Sequence, residues 1–335
     1  MRRDLRSRLR PMNFTDILDE TIELYKSNFK LLVGIAAFIY VPYYLLNGFI
    51  QQPGFDSNTN PTQAVASTII NLVYTILFYV IFHPIATGAL TLAISERYLS
   101  REISIKECYR RILQRKVLLP FMGANILVGI IVCSIVFIPC LIIGAIIGVS
   151  FLSGNSEMSS SFIVTTILAA FAFIAVILLM LYVMLRYTLV APAFIIEMNG
   201  AVNSLRRSWT LMKGSILKAF GLLLLIAVVV SAVTGITAGP AAILSAINME
   251  SGKDPSQLLL AITTIITALV STLAAPLSSI VTILLYYDIR IRREGFDLEL
   301  LARELDEKTR EIGTQDITAL PQEQVPVQNH PIDSE

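Results

Sequence analysis

The sequence predicts an all-α polytopic membrane protein, with six transmembrane helices and three cytoplasmic interfacial amphipathic helices, on three observations. Hydrophobic residues make up 55% of the 335 and charged residues only 15%, where a soluble domain carries roughly 25% charged; the mean hydropathy is +0.69. Six apolar runs are each long enough to cross a hydrocarbon core, which takes about 20 helical residues. The segments between the runs alternate, one set holding 25 of the 26 lysines and arginines and the other only Lys253. Cytoplasmic loops retain basic residues, so both termini and the second and fourth loops are expected in the cytoplasm, and the chain in the cell (inner) membrane.

In chain order, residues 1–12 form a basic N-terminal segment, read as a positive-inside anchor because an acidic amphipathic stretch stands where a leader would need an apolar one. The six-span domain covers 13–295, with spans at 31–50, 64–95, 117–152, 162–185, 219–247 and 257–287. The third run contains Pro139, but the piece beyond it is too short to cross alone, so a single kinked helix is expected. Residues 296–312 read as a cytoplasmic helix, with Leu298, Leu301 and Leu305 at helical spacing and ion pairs such as Arg303 with Glu307 four apart. The polar remainder, 313–335, reads as disordered. Cys108, Cys133 and Cys140 all fall in the third span or on the cytoplasmic side, which argues for thiols rather than disulfides.

A short amphipathic helix precedes three of the spans. The first, about 13–30, sets Phe14, Ile17, Leu18, Ile22, Tyr25 and Phe29 against an acidic face of Asp16, Asp19, Glu20 and Glu23. The second opens with a capping box, Ser104 with Glu107, and sets Ile105, Cys108 and Ile112 opposite Arg110, Arg111 and Arg115. The third sets Val202, Leu205, Trp209 and Met212 opposite Arg206, Arg207 and Lys213. This recurrence, with Lys26, Arg115 and Lys213 in comparable places, suggests a unit of interfacial helix, span out and span back used three times. The first helix is expected to bring Asp19 or Glu23 to Arg206, Arg207 or Arg290.

Enzymatic signatures are missing from the sequence. No Asp, Glu, Lys or Arg falls within the expected spans, whereas intramembrane chemistry usually relies on one. His83 stands alone among apolar residues and reads first as a hydrogen-bond partner for backbone freed by Pro84, ahead of a proton carrier. Neither a GxSxG nor a Walker loop occurs, and two histidines so far apart make no metal site. The chain is therefore read as a non-enzyme with no catalytic residue, metal or cofactor. Asp288 and Glu294 read as structural polar groups. The basic residues Arg110, Arg111, Arg115, Arg206, Arg207, Lys213, Arg290 and Arg292 read as contacts for anionic headgroups, each attracted by about 1 kcal/mol. The expected partners are membrane lipids and a protein partner or second copy of the chain, not nucleic acid. The leading reading is a non-catalytic module that touches anionic lipid and serves as a scaffold. Its rival is a transporter or flippase of lipid-like or amphiphilic cargo, favoured if polar side chains converge on a half-open cavity within the spans.

Three stretches carry a resemblance: NFTDILDETIELYKSNF (13–29), RRSWTLMKGS (206–215) and LLYYDIRIRREGFDLE (284–299). Together they resemble the glycerophosphoryl diester phosphodiesterase membrane-domain family, bacterial multi-pass proteins mostly of unknown function. In some members the membrane domain is fused to a phosphodiesterase barrel. That barrel's metal ligands have no counterpart here, so the resemblance implies the membrane module without its catalysis.

Overall fold

A computed structural model describes residues 10–50, 61–152, 160–198, 200–250 and 257–296, with Leu298 and Ala302. The basic segment up to residue 9, the expected helix at 296–312 (apart from those few residues) and the tail at 313–335 lie outside the described residues. Among the described residues the chain is helical almost throughout and holds no strand.

The helices are α1 (Phe14–Ser27), α2 (Phe29–Ile50), α3 (Pro61–Leu77), a π-helical turn (Phe78–Phe82), α4 (His83–Tyr98), α5 (Ile105–Ile112), α6 (Arg115–Leu152), α7 (Ser160–Tyr187), α8 (Val190–Glu197), α9 (Ala201–Leu211), α10 (Ile216–Glu250) and α11 (Gln257–Glu294). Six helical stretches among them are long and apolar enough to cross a membrane. The third span is one continuous helix through Pro120 and Pro139.

Two spans depart from their expected limits. The fourth does not end at 185: after a break at Thr188 and Leu189 it resumes as α8. Pro192 sits in the first turn of α8, where its missing N–H costs no helical bond, whereas inside a continuous helix it would. The sixth span runs past 287 to Glu294 and stops at Gly295, whose φ is +62°. The second span is interrupted by the π turn, in which the His83 N–H reaches back to the Phe78 carbonyl. Pro84 follows immediately and supplies no N–H.

The three short helices also differ in detail from their sequence stripes. On α1 the buried positions are Ile17, Thr21 and Leu24, while Phe14 and Ile22 are exposed, as is Phe29 at the start of α2. Leu18 and Tyr25 are half-buried against the core, so the inward face is narrower than the apolar stripe. On α5 the Glu107 N–H donates to the Ser104 hydroxyl, but the Glu107 carboxylate turns to Arg110 and Arg111 rather than back to the cap. On α9 the buried residues are Ser204, Leu205, Ser208 and Leu211, and Val202 is exposed. The two serines put little bulk at the contact, and Ser208 donates to the Arg186 carbonyl at 2.7 Å.

Each returning helix, α4, α8 and α11, is followed by a left-handed residue: Ser100, Met198 and Gly295. Three equivalent helix ends at near-equal spacing are what a threefold use of one unit would leave in the backbone.

The core gathers at one end of the bundle. Its members are the basic-end residues of the helices, such as Leu32, Leu90, Tyr98, Phe121, Leu189, Leu222 and the run from Ile280 to Ile291. Helix α11 lies at the centre, with α1, α2, α4 and α10 against it. Helices α6 and α7 pair mainly with each other, and no described residue of α6 beyond Ala124 is fully buried. Their surfaces carry Ile130, Phe137, Leu168, Phe171 and Leu178, all well exposed, as lipid-facing residues must be.

Candidate functional site: a polar knot and a tyrosine cleft

At the basic end, two clusters of charge are built around α11. In the first, Asp288 is 1% exposed and its carboxylate accepts from the Met12 N–H at 2.8 Å, Lys218 Nζ at 2.6 Å and Arg292 Nε at 2.9 Å. The Met12 carbonyl accepts from the same two cations, Lys218 at 2.6 Å and Arg292 at 2.8 Å. The chain entering α1 is thereby tied to α10 and α11. A buried carboxylate persists only with such partners, because removing it from water unpaired costs several kcal/mol.

The second cluster joins α8, α9 and α11. Glu197 accepts from the Tyr286 hydroxyl at 2.6 Å and from Arg207 Nε at 3.0 Å. Glu294 accepts from Arg207 Nη2 at 2.6 Å and Arg290 Nε at 3.1 Å. Arg290 also lies 4.0 Å over the Phe296 ring. The hydrogen bond that Arg207 donates to Glu294 is the main influence holding its guanidinium above its ordinary range. Nearby, the hydroxyls of Ser95 and Tyr287 meet at 2.7 Å, and Arg186 is held between Tyr182 and Trp209 at 5.1 and 4.7 Å from the ring centroids.

The sequence-predicted basic residues therefore divide. Arg207, Arg290 and Arg292 are engaged by carboxylates within the knot. Arg110 and Arg111 pair with Glu107, and Arg111 also with Glu96. Arg115, Arg206 and Lys213 stand exposed. Asp288 lies in the first cluster and Glu294 in the second. The helix carrying Asp19 and Glu23 packs beside α11; a bond at its start runs to Asp288, and Arg207 and Arg290 have ion pairs with Glu197 and Glu294. Sequence reading missed Lys218, Glu197 and Tyr286; the last had a signal, as one of two adjacent tyrosines at a span's end.

His83 sits elsewhere, in a cleft of about 450 Å³ between α2, the π turn and α4 on one side and α10 and α11 on the other. Tyr40, Tyr43 and Tyr44 of α2 form one wall with Phe78 and Tyr79. Ser271, Ser278 and Ser279 of α11 face them, beside small alanines and the apolar Leu223 and Ile226 of α10. The rings form a continuous array: Tyr43 stacks on Phe78 at 3.5 Å, and His83 has Tyr79, Phe78 and Tyr40 at 5.4, 6.3 and 6.4 Å. Tyr79, 56% exposed, stands at the rim. Thr87 donates to the His83 carbonyl at 2.9 Å, taking up backbone next to Pro84. Pro84 is 12 residues from Glu96, or about 18 Å of helix, which puts the cleft near the middle of a hydrocarbon core about 30 Å thick.

No group of three His, Cys, Asp or Glu able to hold a metal occurs among the described residues. The cleft offers stacking faces, hydroxyls and one imidazole, and π turns are frequent at functional positions.

Fold and site together define a multi-pass helical membrane protein with a polar-aromatic cleft inside its spans. The chain belongs to a family defined by a domain of unknown function (DUF7847), whose model matches residues 17–288. No curated protein and no solved structure matches it.

Proposed function

We propose that the protein is a transporter or flippase of lipid-like or amphiphilic cargo, and that the tyrosine–histidine cleft is its binding site. The observation that carries this reading is the cleft itself: hydroxyls, an imidazole and aromatic faces converge at mid-membrane depth, where inert packing would leave apolar contact. Transporter sites lie at that depth, between helices interrupted by proline or irregular turns. Pro84 with its π turn and Pro276 flank the cleft, and its volume is within the range of about 300–1,000 Å³ usual for small-molecule sites.

Ala274→Trp places an indole in the cleft and tests the proposal. Protein purified in mild detergent is expected to carry a bound amphiphile by native mass spectrometry, and the variant to lose it while keeping its melting temperature. An amphiphile retained at full occupancy by a folded variant would refute the assignment.

A second reading, a lipid-contacting scaffold, is favoured by the exposed cations Arg115, Arg206 and Lys213. Reversing all three to glutamate should then release bound anionic lipid without affecting occupancy of the cleft. Both readings put the chain in the cell (inner) membrane with its termini in the cytoplasm, on the strength of the 25-to-1 division of basic residues. A reporter between Ser100 and Arg101 should read cytoplasmic and one near Asn155 external. In keeping with the resemblance to phosphodiesterase membrane domains, we assign no catalysis: purified protein is expected not to hydrolyse glycerophosphodiesters with any divalent metal.

A further inference from the structure

We infer that the cleft selects a cationic cargo: an organic cation whose charge is wrapped in apolar groups, as in a quaternary ammonium or phosphonium. This rests on the reading of the cleft as a binding site and adds the charge of what enters it.

The inference follows from what lines the cleft and what does not. Four tyrosines, Tyr40, Tyr43, Tyr44 and Tyr79, surround the space with Phe78 and His83, and no Lys, Arg, Asp or Glu is among the described residues that line it. Aromatic faces carry the negative part of a quadrupole, so several rings around one space attract a cation held over them, the more strongly where water is excluded. An anion would meet the same faces unfavourably. Among the described residues it would find no ammonium or guanidinium in the lining; Arg207, Lys218 and Arg290 stand at the basic end, engaged by carboxylates there.

The backbone adds to this polarity. Pro84 and Pro276 each lack the N–H that would engage the carbonyl one turn earlier, those of Val80 and Thr272. Thr272 is next to the cleft residue Ser271, and Val80 lies within the π turn. Each proline thus withholds the usual amide from these carbonyls, whose oxygens are negative dipole ends. A compact ammonium would still pay heavily for leaving water, and the lining has no carboxylate to compensate it. A cation with its charge spread or shielded pays less, and its apolar substituents match Leu223, Ile226 and Val230 across the cleft.

The test uses ions of one shape and opposite charge. Protein in lipid nanodiscs is titrated with tetraphenylphosphonium, tetraphenylborate and the neutral triphenylphosphine oxide, with empty nanodiscs correcting for partition into lipid. Saturable binding of the phosphonium at least about tenfold tighter than the borate or the neutral compound is expected. Tyr43→Leu should weaken it by about tenfold while Tyr43→Phe, which keeps the ring, should hold it near the original value; melting curves establish that both variants fold. Saturable binding without preference for the cation, or with preference for the borate, overturns the inference but leaves the cleft a binding site. Equal binding to Tyr43→Leu and Tyr43→Phe also overturns it, since the ring face would then be irrelevant. Absence of saturable binding by all three probes overturns both the inference and the cleft assignment.

Discussion

Asp288 is the buried carboxylate of the first cluster, and its burial decides the sign of any change there. Two cations and one backbone N–H point at its carboxylate. Asp288→Asn keeps the shape but removes the charge, leaving Lys218 and Arg292 facing each other across a single carbonyl. Breaking a buried pair in this way costs about 3–5 kcal/mol, discounted here because Lys218 and Arg292 are themselves 24% and 46% exposed. A loss nearer 2 kcal/mol is expected, seen as a clear drop in melting temperature in detergent. Unchanged melting would mean that the Met12 carbonyl alone holds the cations. Cys108 makes a second residue-scale prediction. It is fully buried, and burial pushes its thiol up to about 11. The thiolate is the reactive form, so at pH 8 a maleimide should leave Cys108 unlabelled in folded protein and label it after denaturation. Raising the pH toward 11 should bring the reaction on. Prompt labelling at pH 8 would show that α5 opens away from its neighbours.

Among the elements, the returning helices share a device that can be measured. Each is followed by a residue in the left-handed region, yet only the last is glycine. A side chain there costs roughly 1–2 kcal/mol, so Met198→Gly is expected to stabilise the protein by about 1 kcal/mol, and Gly295→Ala to destabilise it by a similar amount. If Met198→Gly lowers the melting temperature, the Met198 side chain has a role that outweighs the relief of strain. Helix α4 presents the opposite constraint. A Cβ on Gly88 would stand 3.1 Å from the Phe121 ring and 3.4 Å from Ile112, both fully buried or nearly so. Gly88→Leu therefore has no room and should cost about 1–3 kcal/mol. The sequence showed α4 and α11 by their long apolar runs, placed no helix at α8, and showed the π turn not at all. Its only sign was Pro84, which announces a missing hydrogen bond without saying whether the helix will kink, break or widen by one residue.

For the molecule as a whole, stability should be concentrated at the basic end, because that is where the helices converge. Leu90, fully buried on α4, and Leu178, 61% exposed on α7, are chemically the same residue in two apolar helices. Leu90→Ala leaves a cavity and should cost about 2–5 kcal/mol, while Leu178→Ala should change stability by less than about 0.5 kcal/mol. Similar losses at both sites would contradict the gradient. The looser packing away from the basic end is also what leaves the cleft open between α2 and α10, on either side of α11.

The number of spans, their order and the side on which the basic residues gather were determined by the sequence alone. Crossing a bilayer demands long apolar runs and sorted charge, and both are properties of the chain read one segment at a time. Which basic residues remain available was decided only by the tertiary structure. Arg207 and Arg206 are adjacent on one helix, yet the first is engaged by Glu197 and Glu294 from two other helices and the second is exposed. The cleft was likewise invisible in one dimension. Tyr40, Tyr43 and Tyr44 look like ordinary members of an apolar span until α11 brings small serines and alanines opposite them. A lipid-facing stripe and a cavity-facing stripe have the same composition, and only the packing of distant segments decides which is which.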